Sequence, residues 1–205
     1  SRLCDEVERQ SGGICGTKLS DADKIIMMSR AISLAKDSLK RWRRYTASTS
    51  FAKMMVDTIG EFKLNAITYA ELFDAAEKTD DEQLKSKLLD TAYIYEQYET
   101  LIAQRFIDSC DRLTRLYYAL ENNGFFAEKT VFIDSFKGFS GQQYRVLERI
   151  LSKSKNTFVT LIDNPDDTRQ FGLFSNIKRV KSRITRIAKS HAVTVCDDII
   201  LRENH

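Results

Sequence analysis

One proline and eight glycines among 205 residues are too few for an all-β fold stitched together by turns, and too few for a low-complexity chain. Only two histidines occur, His191 and His205. The four cysteines, Cys4, Cys15, Cys110 and Cys196, stand far apart with no CxxC pair. That scarcity argues against a zinc site and against Ser-His-Asp or Cys-His catalysis. Unpaired thiols point to a reducing, cytoplasmic setting. No apolar run reaches the ~18 residues of a membrane span. Charge of one sign is lacking too. With 32 Lys and Arg against 29 Asp and Glu, the net is +3, so any affinity for nucleic acid has to come from local clusters. What is present is a globular composition, 42% hydrophobic and 30% charged, enough for one large domain or two small ones. Ser1 is not a methionine, SRLCDEVERQ reads as mid-helix and CDDIILRENH stops inside a strand-like run; the expectation is a piece of a longer chain.

The first 125 residues read as helices. Ser20 to Asp23 and Thr68 to Glu71 form capping boxes, and Asp80 or Asp81 can start another helix. Apolar stripes follow at helical spacing: Ile25, Met28, Ile32, Leu39 and Trp42; Phe51, Met55, Ile59 and Phe62; Leu84, Leu88, Ala92, Tyr95, Tyr98 and Ile102. After Asn122-Asn123-Gly124 the texture changes. Thr130 to Ile133 and Thr157 to Ile162 read as short strands buried on both faces, ending on Asp134 and Asp163, with a helix between them opened by a capping box at Ser140 to Gln143. This is a βαβ unit with parallel strands. A last helix carries Ile177, Val180, Ile184 and Ile187 on one face and six cations elsewhere, and a third strand is expected at Ala192 to Val195. The predicted fold class is α/β with a large all-helical subdomain, a helical bundle followed by a parallel βαβ unit. The expected segments are 1–125, 126–174 and 175–205.

Strand, acid, turn is where P-loop NTPases hold magnesium, with a Glu after the Asp to orient water. Here Ser135 follows Asp134, and a serine hydroxyl is no base at neutral pH. A phosphate cradle is also missing: counted from Gly12, the second required glycine falls on Thr17. Asp134 is therefore the remnant of a metal motif or a strand-terminal acid capping a turn. Phe136, Lys137 and Phe139 occupy the loop at the carboxyl end of a parallel strand, where such sheets bind ligands. Aromatics flanking a lysine can stack on bases and pair with phosphate, or be pinned in the core; at least one ring is expected outside. Lys40, Arg41, Arg43 and Arg44 surround Trp42 in the densest basic patch, either a DNA-backbone contact or a solvated helix end. The basic face of the last helix carries the same pair of readings. Asp108 and Asp111 read as helix caps, and no metal site is expected.

KLLDTAYIYEQYETLI, FIDSCDRL, VFIDSFKGFSGQQ and the earlier IGEFKLNAITYAEL resemble, in order and spacing, the amino-terminal region of AddB/RexB-type subunits of the bacterial ATP-dependent helicase–nuclease, over about Leu19 to Phe174. The family pattern reads approximately D-G-F-x-x-F-T-P-x-E; this chain keeps Asp134, Phe136 and Phe139 and departs at Ser135, Ser140, Gly141 and Gln143. The resemblance implies a superfamily 1 helicase-like, P-loop NTPase-related fold. Residues 1–125 would be the helical subdomain inserted in the first helicase-like domain, 126–174 the return into its sheet, and 175–205 the start of a second segment. It implies DNA, single- or double-stranded, and an AddA-type helicase–nuclease subunit as partners, in double-strand-break repair and recombination. No cofactor is expected in this segment; ATP with magnesium and an iron–sulfur cluster would belong elsewhere in the parent chain. The segment itself is expected to support DNA binding and subunit assembly without ATPase or nuclease activity. The alternatives are a helical protein-interaction module, and part of an active helicase motor.

Overall fold

The computed structural model describes residues 2–10, 16–103, 105–163 and 174–200. They form two compact units, Ser1–Ala119 with Ser140–Gln142, and Leu120–Phe139 with Gln143–His205.

The first unit is helical because its caps and stripes agree. It holds α1 (Arg2–Gln10), α2 (Asp21–Ala35), α3 (Thr49–Leu64), α4 (Tyr69–Glu77) and α5 (Glu82–Ile102). The predicted capping boxes of α2 and α4 form: Ser20 and Asp23 exchange hydrogen bonds at the start of α2, and Thr68 and Glu71 do so at the start of α4. Asp81 accepts from the Gln83 and Leu84 N–H groups to open α5. The stripes converge on one core of Met28, Ile32, Phe51, Met55, Ile59, Ile94 and Tyr98, all buried, while Leu84, expected on the same stripe as Tyr98, is exposed. α3 ends with Ala66 at φ 58°, its N–H on Lys63 O and that of Ile67 on Phe62 O. This is the left-handed helix stop usually given to glycine. A small parallel pair, β1 (Thr17–Lys18) and β2 (Phe106–Ile107), was not legible in the pattern, since two residues are too short for any period. α6 (Arg112–Glu121) follows.

The second unit contains β3 (Thr130–Ile133), α7 (Gly141–Lys153), β4 (Asn156–Val159) and α8 (Ser175–Ser190). β3 and β4 pair in parallel, Thr130 with Asn156 through Ile133 with Val159, as the βαβ reading requires. Ile133, Tyr144, Leu147, Leu151, Val180, Ile184 and Ala188 make a single core, so α8 packs with β3 and α7.

Three expectations are corrected. The strands are not buried on both faces: Phe132 is 72% exposed and Phe158 47%, and their rings stack at 5.1 Å on the bare side of the sheet. The apolar run there is a property of an uncovered face. β4 stops at Val159, so Thr160, not Asp163, follows the strand. No strand forms at Ala192 to Val195. Ala192 takes φ 55° and the Val193 N–H caps Ala188 O, so these residues terminate α8 instead.

Candidate nucleic-acid interface

β3 delivers Asp134 to its carboxyl end, fully exposed. Both carboxylate oxygens are engaged: the Thr160 hydroxyl donates to Oδ1, and the Ser135 hydroxyl lies 3.3 Å from Oδ2. The Thr160 hydroxyl, and then the Ser135 N–H, hold its carboxyl below the usual range. In this arrangement the acid closes the turn that follows the strand. Among the described residues no group of three or more His, Cys, Asp or Glu converges for a metal, and Gly12, the start of the failed cradle, lies outside them. Ser135 itself sits at φ 64°, the left-handed region, which turns the chain sharply away from the strand.

That turn places the two aromatics. Phe139 packs against the second core, and Phe136, 43% exposed, stacks on it at 4.9 Å with planes 18° apart. One ring of the pair is anchored and the other presents its outer face. Lys137 is exposed, and its carbonyl accepts from Asn176 Nδ2 at 2.9 Å, fastening the loop to α8.

The basic patch of the first unit is built differently from the helix end expected. α2 stops at Ala35, and residues 40–42 form a loop before the 3₁₀ turn Arg43–Tyr45. The cause is Asp90. Its buried carboxylate accepts the backbone N–H groups of Lys40, Arg41 and Trp42 at 3.0, 2.8 and 2.9 Å. Consecutive N–H groups turned toward one anion form a nest, and the nest leaves the side chains facing outward. Arg41, Arg43 and Arg44 are exposed; Arg43 pairs with Asp37 and Arg44 lies over the Tyr45 ring at 4.8 Å. Trp42 packs edge-on against Phe51. Asp90 was missed in the sequence reading, although its signal was present: an acid on the core-facing row with Ile94 and Tyr98 needs buried donors.

Asp108 does cap, accepting from the Cys110 N–H at 3.0 Å, but it also belongs to a buried ionic group. Lys63 Nζ lies 3.2 Å from Asp108, 2.9 Å from Asp111 and 2.6 Å from Glu99, the last an ion pair without hydrogen-bond alignment. Lys24 reaches Asp108 from the other side at 3.2 Å. The Lys63 ammonium thus lies among three acids inside the first unit.

The family described as "ADDB, N-terminal" matches residues 1–205. The chain belongs to this family. It is 30% identical over 210 residues to the B subunit of the ATP-dependent helicase/deoxyribonuclease of Clostridium novyi (strain NT), covering 99% of this chain and 18% of that protein. It is 30% identical over 206 residues to the protein of the same name from Caldanaerobacter subterraneus subsp. tengcongensis, covering 98% and 18%. The Thermoanaerobacter sp. (strain X514) protein, again so named, is 29% identical over 209 residues, covering 98% and 18%. The chain therefore spans about a fifth of the length of these curated relatives.

Two departures of this AddB-family chain from the family pattern now have a physical setting. Ser135, where the resemblance implies glycine, sits at a left-handed position that glycine adopts without strain. Gly141, where the pattern has proline, lies against the backbone of Asn65. A Cβ there would stand 2.0 Å from Asn65 O, so in this chain glycine is required by close approach. Its neighbour Gln142 is buried and donates to Cys110 O at 2.7 Å and Thr114 Oγ1 at 2.8 Å. No helix among the described residues is long and apolar enough to cross a membrane.

Proposed function

We propose that this chain is part of the B subunit of an ATP-dependent helicase/deoxyribonuclease acting in DNA break repair and recombination, and that it grips single-stranded DNA and supports assembly with an AddA-type partner without turning over nucleotide. On this reading the fold is superfamily 1 helicase-like, the helical residues 1–125 are the inserted subdomain, and 126–174 return into the sheet of the first helicase-like domain. The observation that carries it is the loop after β3: an acid occupied by two hydroxyls, with no acid beside it, next to a stacked ring pair whose outer member is exposed. Phe136, Lys137 and Phe139 contact the strand, and Arg41, Arg43 and Arg44 contact phosphate. ATP turnover by the purified chain that disappears in Asp134→Ala would overturn the non-hydrolytic half. Binding of a labelled single-stranded oligonucleotide, weakened in Phe136→Ala, tests the other half.

The bare face of the sheet, with Phe132 stacked on Phe158, favours a second reading as a protein-interaction module with no nucleic-acid role. Absence of oligonucleotide binding at low salt decides for it.

A further inference from the structure

The ring pair of the loop continues into α8. Phe139 leans on Tyr144 at 5.4 Å, and the Arg183 guanidinium lies over the Tyr144 ring at 3.8 Å. Phe136, Phe139, Tyr144 and Arg183 thus form one ladder. A guanidinium stacked by its face keeps its N–H donors at the edge, in the fork that matches two phosphate oxygens. Arg179 and Arg186 stand one turn either side of Arg183, and the three border a cleft of about 420 Å³ with Gly138, Phe139 and Asn176.

Ion pairing within the fold does not account for these cations. Among the described residues no carboxylate forms an ion pair with Arg179, Arg183 or Arg186, and all three are exposed. Like charges one turn apart destabilise a helix. Lys178 and Arg179 also lie near the amino end of α8, whose first turn has no acid, against the helix dipole. An arrangement that costs the helix stability and points three donors into one cleft calls for an anion. The chemistry of the ladder says which. A ring face for a base lies beside cations that are spaced about 6 Å along the helix axis from Arg179 to Arg183, comparable to the step between phosphates of an extended strand.

We infer that the cleft between the Phe136–Phe139 loop and α8 holds the phosphodiester backbone of single-stranded nucleic acid, with Arg179, Arg183 and Arg186 on phosphate oxygens and a base on the outer face of Phe136. The inference deepens the DNA-binding reading of the loop, but its phosphate contacts are tested separately from the rings.

The test uses the 205-residue chain and a labelled oligodeoxythymidylate of about 16 nucleotides, with affinity measured by anisotropy across a salt series. Replacing Arg179, Arg183 and Arg186 together by Gln lowers the slope of log affinity against log salt by about 2, at ~0.7 for each phosphate no longer neutralised. Arg183→Lys keeps the charge but loses the stacked fork, and binds several-fold more weakly. A charge-matched control, Lys36, Lys53 and Lys78 to Gln, leaves the slope unchanged. Circular dichroism confirms that each variant is folded, since all six positions are exposed. If the control lowers the slope as much as the arginine variant, or if duplex binds as tightly as single strand, the cleft is overturned. If Phe136→Ala weakens binding while the arginine variant does not, the cleft fails and the loop reading stands. The reverse pattern upholds the cleft and overturns the loop, and no binding at low salt overturns both.

Discussion

Asp90 and Arg41 are 49 residues apart in the chain, yet the Asp90 carboxylate takes the Arg41 backbone N–H at 2.8 Å. With the amides of Lys40 and Trp42 on the same carboxylate, one buried side chain shapes the basic loop. The loop owes its form to a remote acid, and its cations are free to face solvent because the backbone, not they, neutralises that acid.

Asp90→Ala removes the acceptor of three buried N–H groups. Hydrogen bonds to a charged group are worth about 1.5–3 kcal/mol each, and donors left without partners add a penalty. Non-additivity reduces the sum, so the expected loss is about 3–4 kcal/mol in urea unfolding. Amide exchange at Lys40, Arg41 and Trp42 should accelerate beyond the global change. Exchange protection that survives there would show the nest forms without Asp90.

The ionic group around Lys63 predicts acid sensitivity. Burial pushes the Asp108 carboxyl up, but Lys63, the Cys110 N–H and Lys24 outweigh it and hold its pKa at about 2 against an ordinary 3.8. A carboxyl depressed in the folded state stabilises it fully above the ordinary value and loses that contribution as pH falls toward about 2, here about 2 kcal/mol. Glu99 works the other way, since burial raises its pKa more than Lys63 lowers it; it costs stability as pH rises through the raised value. Wild-type stability should fall through the window from 3.8 to about 2, and the fall should be shallower in Asp108→Asn. Parallel curves would remove Asp108 as its source. Lys63→Ala, which strands three acids, should cost about 3–5 kcal/mol at neutral pH.

Gly141 predicts a steric threshold. Its Cα meets the Asn65 backbone so closely that a methyl group overlaps the carbonyl oxygen, carbon and Cα, at 2.0, 2.3 and 2.8 Å. Backbone cannot rotate aside as a side chain can. Gly141→Ala should therefore lower stability by at least about 3 kcal/mol, the upper end of ordinary overpacking, despite the better helix propensity of alanine. A thermal midpoint equal to or above that of the wild type would mean that the start of α7 moves away from Asn65 at little cost.

The helical block was legible because its signals are local and agree. Ser20 with Asp23 and Thr68 with Glu71 are caps written within four residues, and the stripes through Met28, Met55 and Tyr98 repeat at the helix period. The parallel β3–α7–β4 order was legible for the same reason. The stripe through Leu39 and Trp42 misled, because helical spacing persisted beyond Ala35 while the backbone there turned, its amides bonding to Ser33, Ala35 and then the remote Asp90. Apolar β3 was read as a doubly buried strand, because composition cannot tell a covered face from the bare one that carries Phe132. At the candidate interface, the sequence picked out Asp134, Phe136 and Phe139 singly. It could not join Tyr144 and Arg183 to them, since a ring ladder crosses three segments.

By itself, then, the sequence determined where helices start, which faces are apolar, that two parallel strands flank a helix, and that the acid after β3 lacks a neighbouring acid. These are short-range consequences of caps, periods and side-chain chemistry. Only the tertiary structure decided which charges are buried together, which glycine touches backbone, which ring of a pair faces solvent, and which arginines share a cleft. Such facts depend on distances between residues far apart in the chain, and no local pattern encodes a distance.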